Sequence, residues 1–113
     1  MIYEIRNYYV EPAVLNDYEK WVKEHALPYI RRRLPIAGFW VSTDIPAQVT
    51  GAPLDELGSA NITWVIHWDD LETRNRVMGE VFGPGASEWS DITTHHPGRQ
   101  HYRRIEAKFA RGL

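Results

Sequence analysis

From Asn61 to Trp68 a large apolar side chain occupies every second position: Ile62, Trp64, Ile66 and Trp68. A β-strand sends alternate residues to opposite faces, whereas a helix scatters such a set around its circumference. The stretch therefore predicts a strand with one buried face and, on the other, Asn61, Thr63, Val65 and His67. One strand is not stable alone, so the rest of the chain must supply its neighbours.

Residues 1–10 are rich in β-branched and aromatic types and lack Gly and Pro, which predicts a first strand. Glu11-Pro12 breaks it. From about Ala13 the period changes: Val14, Tyr18, Trp21, Val22, His25, Tyr29 and Ile30 follow helical spacing. Pro28 lies inside that pattern and predicts a kink or restart, and Leu34-Pro35 ends the helix. Ile36 to Thr43 reads as a second strand, with Gly38 at a bulge or close approach. Asp44 to Ala60 holds Pro46, Gly51, Pro53 and Gly58 and reads as a long loop. After the Asn61–Trp68 strand, Asp69 is placed as N-cap with Glu72 at N3. Leu71, Val77, Met78, Val81 and Phe82 form the buried stripe of that helix, which Gly83-Pro84-Gly85 stops. A helical turn over Ser87 to Ile92 and a last strand over His101 to Phe109 complete the chain.

The order β-α-β-β-α-β predicts an α+β, ferredoxin-like domain: an antiparallel four-stranded sheet with its helices on one face. The 113 residues suit one domain, 1–113. The helices leave the second face of the sheet bare. An apolar sheet face in so small a domain predicts a partner, and a homodimer is the simplest one.

Composition narrows the function classes. There is no cysteine, so disulfides and thiolate metal sites are excluded. A net charge of −2 with mixed signs argues against nucleic acid as a partner. Arg31-Arg32-Arg33 fits cations at a helix C-terminus. No apolar run approaches membrane-spanning length, and Met1–Arg6 does not resemble a signal peptide, so a cytoplasmic location is expected. His95, His96 and His101 lack the spacing of a zinc motif and read as exposed loop histidines; no metal is expected. There is no phosphate-cradling glycine loop, and no cofactor is expected. Five tryptophans and six tyrosines point to an aromatic core, interface or ligand pocket.

The candidate chemistry centres on two strands. Glu4, Arg6 and Tyr8 share one face of the first strand; Thr63, Val65 and His67 share one face of the third. The two strands are neighbours in this fold, so both sets are expected to face one cavity. There Arg6 would bind an anionic or carbonyl oxygen, His67 would act as general base or acid, and Tyr8 would orient the substrate. Glu4, His25, Trp40 and Thr63 are the candidate ligand-binding residues around them. The bland alternative is a buried Glu4–Arg6 pair with Tyr8 closing an interface, His25 as a core histidine and Trp40 as packing.

Several stretches resemble the NIPSNAP-domain family. Tyr3-Glu4-Ile5-Arg6 followed by Tyr8 is similar to its opening strand. Leu27-Pro28, then Arg31-Arg32 and Gly38-Phe39-Trp40, resemble its first helix end and second strand. Asp70-Leu71 with Arg74 and Arg76, then Glu88-Trp89, resemble its second helix and the segment beyond. The chain departs from the pattern where Trp64 stands near a histidine common in the family; here the histidine is His67. The resemblance implies a dimeric α/β barrel, the fold of small antibiotic-biosynthesis monooxygenases and related lyases and isomerases. It also implies a small-molecule-binding domain of undefined activity, with the ligand between helices and sheet. The other reading is a metal- and nucleotide-independent enzyme of monooxygenase, lyase or isomerase type. It would apply acid–base chemistry to an aromatic or polyketide-like substrate.

Overall fold

The computed structural model describes residues 1–113. Four strands, β1 (Ile2–Val10), β2 (Ile36–Val41), β3 (Ile62–Trp68) and β4 (Tyr102–Arg111), form one sheet in the order β2-β3-β1-β4. All three pairings are antiparallel. The helices α1 (Leu15–Trp21), α2 (Leu27–Arg33), α3 (Leu71–Phe82) and α4 (Ser87–Thr93) complete a ferredoxin-like α+β architecture, with the helices to one side. No helix is long and apolar enough to cross a membrane.

The alternation in β3 folds as expected: Ile62, Trp64, Ile66 and Trp68 are buried, and the residues between them are half-buried. They meet Tyr18, Trp21, Val22, Tyr29, Ile30 and Val81 in the core between sheet and helices. Burying side chains of this size is the main source of stability here, about 1.5–3 kcal/mol for each.

The break expected at Pro28 lies just upstream of it. Pro28 has no N–H, and its ring would press on the carbonyl four residues back. The chain answers with a wider π-helical turn over Val22–Ala26, in which the Leu27 N–H reaches the Val22 carbonyl, five residues away. Gly38 sits at a register shift in the β2–β3 pairing, and a Cβ there would strike the Trp40 indole. The N-cap of α3 is Asp70 and not Asp69; Asp70 Oδ1 accepts the Thr73 N–H at 2.7 Å. The strand–helix linker is thus one residue longer than the capping-box pattern implied.

Two further ties hold the layers in place. Asn61, next to the β1 bulge at Tyr9 and Val10, accepts the Val10 N–H at 2.9 Å and donates to the Val10 carbonyl at 2.8 Å. The Tyr29 hydroxyl donates to the Val81 carbonyl at 2.6 Å, joining α2 to α3.

Candidate functional site

Glu4, Arg6 and Tyr8 emerge on the helix side of β1, because they pair with Ile66, Trp64 and Ile62 of β3. Glu4 is fully buried, and four donors close on its carboxylate. Arg74 of α3 donates from Nε to Oε1 at 2.9 Å and from Nη2 to Oε2 at 2.8 Å. Arg6 Nη1 donates to Oε2 at 2.7 Å, and Trp68 Nε1 to Oε1 at 3.0 Å. Burial alone pushes the Glu4 carboxyl upward, but the bonds from Arg74, Arg6 and Trp68 outweigh it and hold the pKa below the usual value. The bland reading of a Glu4–Arg6 pair is therefore correct as far as it goes. It missed Arg74, which lies three residues after Leu71 and four before Met78, on the apolar stripe itself.

Arg6 also reaches into open space. Its Nε donates to the Tyr8 hydroxyl at 2.7 Å, while Nη2 has no partner in the chain. Trp64 Nε1 donates to the same hydroxyl at 3.0 Å. The Tyr8 oxygen thus accepts twice, and no acceptor in the chain takes its proton. Tyr8 is only 7% exposed.

Above these groups lies a cavity of about 270 Å³ between the sheet and the helices. Trp21, Val22, Ala26, Ile30, Phe39, Trp64, Met78, Phe82 and Trp89 make its apolar walls. Its polar lining is Arg6, Tyr8, Tyr18, Arg99 and Tyr102, with no carboxylate or side-chain amide among the lining residues. Ile105, at the mouth, is half exposed on the edge strand β4. Phe39 stacks on Trp64, with ring centroids 5.4 Å apart.

A second polar cluster forms the cavity's end wall. The Tyr102 hydroxyl donates to the Tyr18 hydroxyl at 3.1 Å, and His96 Nε2 lies 3.0 Å from the Tyr102 oxygen. Burial, reinforced by Tyr102, pushes the Tyr18 phenol far up; burial likewise pushes Tyr102 up to about 12. Both phenols stay protonated at neutral pH. His96 was expected to be an exposed loop residue, yet it is half-buried, packed edge-on against Tyr18 and Trp21.

The other expected site residues lie elsewhere. His67 pairs with Tyr3, so its side chain leaves the opposite face of the sheet from Arg6. The expected convergence of His67 with Arg6 and Tyr8 does not occur in this chain: alternation and register together forbid it. His67 is half-buried, and its nearest aromatic neighbour from β1 is Tyr3, at 6.4 Å between ring centroids. Thr63 shares that face and donates to Asn7 Oδ1 at 2.7 Å. Trp40, opposite Thr63, is on the same face and half exposed. His25 is absent from the cavity lining and stacks on His95, with centroids 4.3 Å apart and planes nearly parallel. The residues that the sequence did not single out for the site are Tyr18, Arg99 and Tyr102, together with Arg74 behind Glu4.

No family model and no curated protein matches the sequence. Solved structures do match. A NIPSNAP family protein of unknown function from Agrobacterium tumefaciens is 18% identical, with a TM-score of 0.72 over 97% of this chain and 86% of that one. An uncharacterised NIPSNAP domain protein from Burkholderia xenovorans is 15% identical, with a TM-score of 0.73 over 100% and 95%. A more distant likeness joins an ethyl tert-butyl ether (ethd) family protein from Bacillus halodurans, 12% identical, with a TM-score of 0.54 over the whole of both chains. Identities this low speak to architecture alone. In architecture, the chain is a NIPSNAP-domain fold.

Proposed function

We propose that residues 1–113 act as one ligand-binding domain. It takes an apolar small molecule into the cavity between helices and sheet and holds an acceptor oxygen of that molecule on Arg6 and Tyr8. One observation carries this reading: two guanidiniums, Arg6 and Arg74, share a single carboxylate, Glu4, and of the three Arg6 lines the cavity. One positive charge is left over in a site with apolar walls, where a negative or strongly polar oxygen is favoured. The domain works as a homodimer through the bare sheet face, where Tyr3, Ile5, Tyr9, Val65 and Trp40 lie without a helix over them. The site works in the cytoplasm and without a metal or cofactor.

A second reading, an acid–base enzyme of monooxygenase, lyase or isomerase type, draws on the Tyr8 proton. A phenol that accepts from a guanidinium and an indole N–H is polarised toward giving that proton to a bound oxygen. His67 has no part in this version, since it stands on the other face.

Calorimetric titration with 2-naphthoate tests the binding reading. The wild-type chain should saturate, and Arg6→Met should weaken binding at least about tenfold, as expected for a lost charge-assisted bond. Arg6→Met keeps Arg74 and Trp68 on Glu4, so the fold is retained. Absence of saturable binding by 2-naphthoate, 2-acetonaphthone and 2-naphthylmethanol alike would end this reading.

A further inference from the structure

The end wall of the cavity has a hydrogen-bond order that one backbone group decides. The Gly98 N–H donates to His96 Nδ1 at 2.9 Å, so that nitrogen is an acceptor. A neutral imidazole carries one proton, which must then sit on Nε2 and point to the Tyr102 oxygen. Tyr102 and Tyr18 have two hydroxyl protons between them and one link to fill. With His96 donating, one proton is left over whichever phenol makes that link. In the other tautomer His96 would accept from Tyr102 and Tyr102 from Tyr18, and no proton would remain. Tyr18 and Tyr102 both line the cavity, so the spare proton belongs to a cavity-lining hydroxyl whichever of the two makes the link.

We infer that the Gly98–His96–Tyr102–Tyr18 chain gives the cavity a second oxygen-recognising donor, so that the site selects ligands carrying two acceptor oxygens, an aromatic carboxylate or the enolate of a 1,3-dicarbonyl. This rests on the binding reading above and sharpens it. The lining holds more donors than acceptors. Arg6 and Arg99 are donors only, and both lone pairs of Tyr8 are taken by Arg6 and Trp64. Tyr102 and Tyr18 each accept one bond, from His96 and from Tyr102, and keep one lone pair. An oxygen that only accepts is therefore favoured over a ligand hydroxyl or amine, whose proton meets no carboxylate or amide acceptor in the lining. His96 and Gly98 are positioning residues, acting through the two phenols.

The test has a ligand-free and a ligand-bound arm. Imidazole nitrogen shifts on the labelled chain at pH 7.5 should show His96 as the Nε2–H tautomer. The Nδ1–H tautomer would overturn the inference, because the spare donor would not exist. In the second arm, calorimetry compares 2-naphthoate with 2-naphthylmethanol. The wild type should prefer the carboxylate at least about a hundredfold, about tenfold for each of the two bonds to a charged acceptor, one from Arg6 and one from the phenol pair. The Tyr18→Phe/Tyr102→Phe double variant should lose about tenfold of that preference and keep the part that Arg6 supplies. It removes both partners of a buried bond while keeping their shape, which a fold tolerates better than losing one. Binding with the preference intact in the double variant would refute the second donor and leave the binding reading standing. Failure of 2-naphthoate, 2-acetonaphthone and 2-naphthylmethanol alike in the wild type would refute the two together.

Discussion

Arg74 of α3 grips Glu4 of β1 with two parallel bonds, Nε to Oε1 at 2.9 Å and Nη2 to Oε2 at 2.8 Å. Residues 70 positions apart are thereby locked across the layer that separates sheet from helix. The carboxylate has no exposure, so its four donors are its only solvation. Glu4→Gln puts an amide N–H where a guanidinium donor points and removes the charge. It should cost about 3 kcal/mol, at the low end for breaking a buried ion pair because both arginines keep some contact with water. Urea denaturation of the two chains measures it; a loss below about 1 kcal/mol would mean that the arginines re-solvate freely.

The same group sets an acid limit. The folded Glu4 pKa is lowered, so the unfolded chain takes up the proton first. The stability it contributes is complete above its ordinary value of 4.5 and is lost as the pH falls through the folded value. The urea midpoint should drop steeply below that pH in the wild type and less steeply in Glu4→Gln.

His96 has its own window. Burial, then Arg99 and His101, lower its pKa below 6.5, and Tyr18, Trp21 and Tyr102 pack against its ring. The unfolded chain therefore binds a proton before the folded one does. Stability from this source is full above pH 6.5 and declines as the pH falls from there to the folded value. Comparing urea midpoints of wild type and His96→Gln at pH 7.5 and 5.5 isolates it. The gap between the two chains should narrow at the lower pH.

Asn61 replaces two strand bonds at the β1 bulge. Asn61→Ala leaves the Val10 N–H and carbonyl without these partners, at about 2–4 kcal/mol for the pair. Asn61→Asp keeps an acceptor for the N–H but sets an oxygen against the carbonyl, and should lose a comparable amount. Thermal melts of the two variants check this, and a melt unchanged in either would mean water substitutes at the bulge.

The Asp44–Ala60 loop has no strand or helix, and its proximal half is exposed. Arg104 of β4 tethers it, with Nη1 to Asp55 Oδ2 at 2.6 Å and Nη2 to the Gly58 carbonyl at 2.8 Å. Limited proteolysis should cut first between Asp44 and Pro53, upstream of the tether, and Arg104→Ala should extend cutting toward Gly58. First cuts within the strands would refute this.

The sequence was most legible where one period dominated. The alternation in β3 and the stripe of α3 foretold both elements and the face each buries. The Pro28 ring foretold an irregular helix, though not that the chain would widen one turn to accommodate it. Pairing partners were harder to read. Placing Arg6 and His67 on one face required the register, and a slip of one residue reverses every side chain. Tyr18 and Tyr102 carry no local mark of function; each is an ordinary core aromatic until the other is set beside it, 84 positions away. Arg74 was detectable, as a cation standing on a greasy stripe, where a charge needs a buried counterpart.

The sharing of Glu4 by two arginines leaves a guanidinium charge at Arg6 that the chain itself does not balance. An organic anion bound there, as proposed above, would attach to the folded chain and not to the unfolded one, so occupancy would raise the melting temperature. At a hundredfold excess over the dissociation constant the gain is about 2.7 kcal/mol. A thermal-shift screen of organic acids can thus search for the natural ligand without any assay of activity. The Arg6→Met chain, lacking that charge, serves as the blank against which each shift is scored.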